Sequence, residues 1–320
     1  MNSFVGLFLG YFFFISFSFS SEALSGPLLG GKIPTPKELQ KDVQFWEKIF
    51  SVYKAKDCVI HDSKHLDVVY LVTRLPSRRR SASRKMRRKI GEVTRLLRRL
   101  GAGRRPRARW ETRIISRIPS KYRNRSFYRQ AARRVRCQRG VKEQFASSQV
   151  RSQKYLKMIR KIFKKKNIPE DLVYLPHLES GFNNRARSKV GARGLWQIMP
   201  RSASGFLKVN RRRDERVHPL KATRFAAKQL SENYRKIGSW PLAITAYNYG
   251  VNGVVRAVRK FGTKKYMVIH RRHKTRIFRF AARNFFPSFL AVRNLAKRYE
   301  HRARYTSRQS SNFKIARKAF

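Results

Sequence analysis

Acidic residues are scarce in this chain: 17 Asp and Glu stand against 77 Lys and Arg among 320 residues, a net charge of +60. So lopsided a balance opposes compaction by self-repulsion and attracts polyanions, whether nucleic acid, an acidic lipid surface or an anionic cell wall. Cysteine is nearly missing, with Cys58 and Cys137 alone. Two cysteines exclude a disulfide-dense miniprotein; oxidising surroundings permit one bridge, and two buried thiols are the other reading. Paired Cys-x-x-Cys and His-Glu-x-x-His spacings are missing, which argues against a metal site, and no cofactor is expected. An apolar run long enough to span a bilayer is missing too. Phe4 to Phe19 is apolar or Ser, too short for a span and of the right length for the core of a secretory leader.

Small residues at Ser21 and Ala23 place leader cleavage after Ala23, giving a signal peptide over residues 1–23. The leader lacks Lys and Arg before its apolar run, so an uncleaved anchor, with membrane association, is the alternative. No Cys follows closely, which closes the lipoprotein route. Export in turn disfavours a nucleic-acid partner, and no specific nucleic acid is expected.

Hydrophobic residues make up 41% of the chain, enough for a core. Residues 24–74 read as an N-terminal helical segment, with Leu39, Val43, Trp46, Ile49 and Phe50 on one helix face. Val68 to Val72 is a short β-branched run, strand or helix. From 75 to 140 the composition turns arginine-rich, and Glu92 and Glu111 are its acids. Ile90, Val93, Leu96, Leu97 and Leu100 give one amphipathic helix there. The segment reads as a solvated linker or as a basic arm for acidic envelope polymers. Residues 141–300 are mostly helical, and 301–320 read as a basic disordered tail.

One carboxyl in the helical part stands out. Ile168-Pro169-Glu170-Asp171 looks like a helix start. Leu172, Leu175 and Glu179 then fall at i, i+3 and i+7, so Glu179 continues an inward stripe. A carboxylate there needs an explanation, because burying its charge is costly. Apolar neighbours would raise its pKa and make it a proton donor. A helix-end Glu paired with an arginine is the bland alternative. Gly194-Leu195-Trp196-Gln197-Ile198-Met199-Pro200 and Ala246-Tyr247-Asn248-Tyr249-Gly250 supply aromatic, amide and glycine residues for a groove. After Ser180 the acids are Asp214, Glu215, Glu232 and Glu300, none an obvious second catalytic carboxylate of the kind glycoside hydrolysis uses.

These stretches, with Asp214-Glu215-Arg216-Val217-His218-Pro219 and Arg283-Asn284-Phe285-Phe286, resemble the catalytic domain of the lytic murein transglycosylases, in particular the membrane-bound type D group. His218 stands where that group more usually has Asp or Asn. The resemblance implies a mainly α fold of the α+β lysozyme-like superfamily, goose-type, preceded by a helical N-terminal segment and a basic linker. It implies peptidoglycan glycan strands as substrate, with Glu179 as acid and then base in forming a 1,6-anhydro-N-acetylmuramic acid end. Ser188, Gln197 and Met199 match positions that line the saccharide cleft. Tyr247 matches a tyrosine that hydrogen-bonds the acid, and Asn248 lies beside it. The type D group often carries lysin-motif repeats, and none is present before Phe320. An exported, periplasmic or envelope location follows from the leader and the resemblance together. The competing readings are a wall-binding protein of the same fold without turnover, a basic nucleic-acid-binding protein, and a hydrolytic muramidase.

Overall fold

The computed structural model describes residues 33–275, 278 and 280–316, with side chains as far as 303. The leader therefore lies outside the described residues. The chain divides into two compact units, Leu39–Ala146 and the flanking chain on either side of it.

The smaller unit is not the linker that composition suggested. It holds α1 (Gln40–Ser51), β1 (Asp57–Asp62), β2 (Val69–Arg74), α2 (Arg79–Gly101), α3 (Arg109–Ser116), α4 (Arg125–Ala131) and β3 (Val135–Arg139). The strands form one antiparallel sheet in the order β2-β1-β3. Central β1 is buried from Cys58 onward, so neither face is solvated. Cys58 and Ile60 point into a core with Tyr70, Val93, Leu96, Leu97, Leu100, Ile114, Phe127 and Tyr128. His61 packs against Phe45 of α1, ring centroids 4.7 Å apart. Between β1 and β3 the register sets Cys58 against Arg139 and Ile60 against Cys137. Cys58 and Cys137 are joined as a disulfide. The arginines did not prevent folding because they stand on the outer face of α2, while its apolar stripe reaches the sheet. Val68 to Val72 resolves to strand over Val69 onward. Buried Asp62 takes the Arg134 guanidinium and the backbone N–H groups of Lys64 and His65, which answers its desolvation.

α5 (Lys142–Lys165) leads into the larger unit, where α6 (Pro176–Glu179), α7 (Pro200–Ala203), α8 (Pro219–Ile237), α9 (Trp240–Tyr249), α10 (Val251–Phe261), α11 (Tyr266–Arg272) and α12 (Phe280–Ala316) follow. This is the mainly α architecture expected. The tail is a correction: the backbone of α12 is helical to Ala316, beyond the point where a disordered end was expected. α12 is buried on every side from Phe285 to Val292 and forms the hub of the unit. Pro287 lies inside it and leaves the Arg283 carbonyl without its helical donor; the Tyr266 hydroxyl donates to that carbonyl at 3.4 Å. α8 starts at Pro219 and stops at Gly238, whose φ of +72° is the usual left-handed helix end. On α5 the side chains Ser152, Leu156, Ile159 and Phe163 are buried. Phe163 meets Trp196 at 5.6 Å.

Candidate active site

The stretch before Glu179 is not one helix. A 3-10 turn over Glu170–Tyr174 gives way to α6, with Pro176 at its first position. Leu172 and Leu175 are nonetheless fully buried, so the inward direction survives the break. A proline cannot donate to the preceding turn but suits the first turn of a new helix, which explains the interruption.

α6 is held from behind. Fully buried His177 meets the Ser148 hydroxyl through Nδ1 at 2.7 Å and packs edge-on against Phe182 at 4.6 Å. Burial lowers the His177 pKa to about 3, so the ring is neutral. Arg151 donates to the Gly181 carbonyl at 2.8 Å. Ser180 donates to the Leu195 carbonyl at 2.8 Å and ties the end of α6 to the Gly194–Met199 segment.

That segment is fixed by backbone geometry. Gly194 has φ of +81°, and a Cβ there would sit 2.0 Å from the Arg216 carbonyl oxygen. Only glycine fits. Gln197 also holds positive φ, +46°. Its amide donates to the carbonyls of Gly194 at 3.0 Å and Ala186 at 3.3 Å, which locks a conformation that a non-glycine residue rarely adopts. Buried Arg216 donates to the Gly191 and Ile198 carbonyls and is itself held by Asp214. The Tyr247 hydroxyl donates to the Trp196 carbonyl at 2.9 Å, and the Trp196 indole donates to Thr223 at 2.9 Å.

Between these parts lies a cavity of about 70 Å³. Glu179, Gln197, Met199, Tyr247 and Asn248 line it together with Gln229 and Asn233 of α8. Glu179 is half-buried, and its Oε1 is buried without a hydrogen-bond partner. Burial, with no cation to offset it, raises its pKa to about 8. At neutral pH the group is chiefly a carboxylic acid. Oε1 of Gln197 is likewise buried and unpartnered beside the same space. The Tyr247 hydroxyl is held neutral by burial.

The other carboxyls are occupied elsewhere. Asp214 is held below its usual range by Arg216. Glu215 falls to about 2 through its bond to Lys221 and the Lys208 N–H. The Glu215 side chain is buried. Glu232 pairs with Lys228 and Glu300 with Arg160. None of the four lines the cavity. Among the described residues no group of His, Cys, Asp and Glu could hold a metal ion.

The sequence-derived site is brought together with two differences. Ser188 does not line the cavity; its hydroxyl accepts from the Ala192 N–H at 2.8 Å and closes the 188–192 turn. Tyr247 donates to the Trp196 carbonyl, where a bond to the acid was expected. Gln229 and Asn233 were missed. Their positions on one helical face four residues apart were the available signal, obscured by the polar run around them.

Residues 157–269 match the family model described as the transglycosylase SLT domain. Over these residues the chain is similar to the SLT domain. Over 113 residues it is 35% identical to membrane-bound lytic murein transglycosylase D of Escherichia coli K12, a match covering 34% of this chain and 25% of that protein. Over 116 residues it is 34% identical to a protein of Alteromonas sp. strain M-1 named for tributyltin chloride resistance, covering 36% and 56%. A solved structure of an inactive mutant of the lytic transglycosylase Slt from Pseudomonas aeruginosa is similar at 18% identity and a TM-score of 0.34, covering 45% of this chain and 24% of that one. The matched stretch thus spans between a quarter and just over half of these curated relatives. Every residue lining the cavity lies within the matched residues 157–269.

Proposed function

We propose that the SLT domain of this chain is a peptidoglycan lytic transglycosylase. The observation that carries this reading is the unpartnered, buried Oε1 of Glu179 on a cavity that no other carboxyl lines. A proton held there at neutral pH is available to a poor leaving group.

In the proposed reaction Glu179 protonates the oxygen between N-acetylmuramic acid and N-acetylglucosamine. The bond from the anomeric carbon to that oxygen breaks, and its electron pair leaves with the oxygen. The muramic C6 hydroxyl then attacks the anomeric carbon, and its proton passes to the Glu179 carboxylate. The acid is restored, a 1,6-anhydro ring closes and no water is consumed. A second carboxylate, which hydrolysis by inversion or retention requires, has no role. Gln197, through Oε1, supplies an acceptor for a substrate N–H or hydroxyl. Met199 and Asn248 contribute wall contacts, and Tyr247 fixes the Trp196 backbone beside the acid. Ser188 supports the turn behind them. Peptidoglycan lies outside the cytoplasm, and the Cys58–Cys137 bridge supports an oxidising, exported location.

Mass spectrometry of digested sacculi tests the reading. The wild-type chain is expected to release anhydro-muropeptides and Glu179→Gln none. Reducing ends from the wild type would replace this proposal with hydrolysis, and no cleavage at all would leave a wall-binding protein.

A further inference from the structure

The smaller unit bears a second feature, distinct from the cleft. Along α2 the half-buried Ala82, Met86 and Ile90 and the buried Val93, Leu97 and Leu100 face the core. On the opposite face Arg84, Arg88, Arg95 and Arg98 are exposed, at steps of three, four or seven residues, with Arg80 and Arg87 flanking them. At 1.5 Å per residue, Arg80 to Arg98 forms a line roughly 27 Å long. Arg84, Arg87, Arg95 and Arg98 have no acidic partner among the described residues, and Arg88 reaches Glu92 only at 3.8 Å. The other acid of this arginine-rich stretch, Glu111, is buried against Arg99. The line is uncompensated charge.

Gly91 stands in the middle of this line, between Arg88 and Arg95. Glycine in a helix interior is unfavourable, and this one adopts no special backbone angle. A Cβ there would meet only the mobile end of the Arg95 side chain, at 3.3 Å. The glycine therefore serves no internal packing. It leaves a notch in the arginine face that the Arg95 guanidinium overlies, where another backbone can approach closely once that flexible side chain turns aside.

The apolar face of α2 is consumed by the unit's own core, so no apolar stripe is left to enter a lipid surface. A narrow line of guanidinium groups with a notch fits a thin, extended polyanion. Guanidinium pairs carboxylate in a two-point fork. A binding surface tethered to an enzyme of an insoluble polymer raises the local concentration of that polymer.

We propose that the arginine face of α2 docks peptidoglycan itself, through the carboxylates of its peptide stems. The inference rests on the substrate class proposed for the SLT domain and adds a second contact with that polymer.

The test uses the full chain carrying Glu179→Gln, so that sacculi stay intact, and measures pelleting with purified sacculi at rising salt. Replacing Arg84, Arg87, Arg88, Arg95 and Arg98 with Gln should weaken pelleting at least about tenfold at low salt and flatten its salt dependence. The five-Lys counterpart should fall between. Gly91→Gln should raise thermal stability yet weaken pelleting, an outcome that misfolding cannot imitate. Sacculi stripped of stems by an amidase should bind as poorly as the five-Gln variant binds intact ones. Undiminished binding to stripped sacculi, or to intact sacculi by the five-Gln variant, overturns the proposal. Binding that polyphosphate or duplex DNA removes while stripping has no effect overturns it in favour of a phosphate polymer. In the Glu179 background, the five-Gln variant should cleave short soluble strands at the wild-type rate. Failure of cleavage by the unaltered chain would count against the SLT reading and leave the pelleting comparison standing.

Discussion

At the scale of single residues, the decisive quantity is the free energy of one carboxyl proton. The Glu179 pKa is raised to about 8 by burial, so activity requiring its acid form should fall as pH rises through about 8. The same shift governs stability. Between the ordinary carboxyl pKa of about 4.5 and about 8 the folded state holds a proton that the unfolded state has released, so stability declines across that window. Glu179→Gln removes this decline. Its Tm should match wild type near pH 4 and exceed it by at least ~2 °C near pH 9, as scanning calorimetry would show. Parallel Tm curves would mean that Glu179 is not desolvated. Tyr247→Phe leaves the Trp196 carbonyl without its donor and should lower stability by about 1–3 kcal/mol in chemical denaturation. Its effect on cleavage should be a loss of kcat with little change in KM, since the tyrosine sets the backbone beside the acid.

At the scale of elements, the site depends on turns more than on helices. Gly194→Ala drives a methyl group into the Arg216 carbonyl at a positive φ. We expect a loss of more than about 3 kcal/mol or failure to fold, with cleavage abolished, readable from Tm and from the sacculus digest. The periodicity of Leu172, Leu175 and Glu179 made the inward carboxyl legible, although the helix assumed for it is broken at Pro176. Side-chain direction persisted because both half-elements wind right-handed with similar pitch. Ser188 could not be placed by pattern, because its turn is closed by a hydrogen bond within its own loop. Tyr247 was expected beside Glu179 and lines the same cavity, but its hydrogen-bond partner depended on where the Trp196 backbone lay.

At the scale of the whole molecule, net charge misled and patterning informed. Residues 75–140 resemble a solvated arm in composition, yet they supply three helices and the strand that completes a sheet. The apolar positions of α2 were visible as one helix face; their partners, Cys58, Ile60 and Tyr70, lie before the arginine-rich stretch. The Cys58–Cys137 bridge closes a separation of 79 residues. By chain entropy it contributes about 4 kcal/mol. Replacing both cysteines with Ser should therefore speed amide hydrogen exchange in β1 and β3, while protection of α12 is kept. Equal protection of β1, β3 and α12 in oxidised and double-Ser protein would show that the bridge is dispensable. From sequence alone came the inward direction of Glu179, the helical character of the larger unit and the segments flanking its cleft. These follow from local spacing, which the chain carries wherever it folds. Tertiary structure decided that the arginine-rich stretch is a folded unit, that Glu179 keeps Oε1 unpartnered, and that Gln229 and Asn233 share its cavity. Those outcomes depend on which distant surfaces meet, and desolvation and hydrogen-bond partnership exist only once they have met.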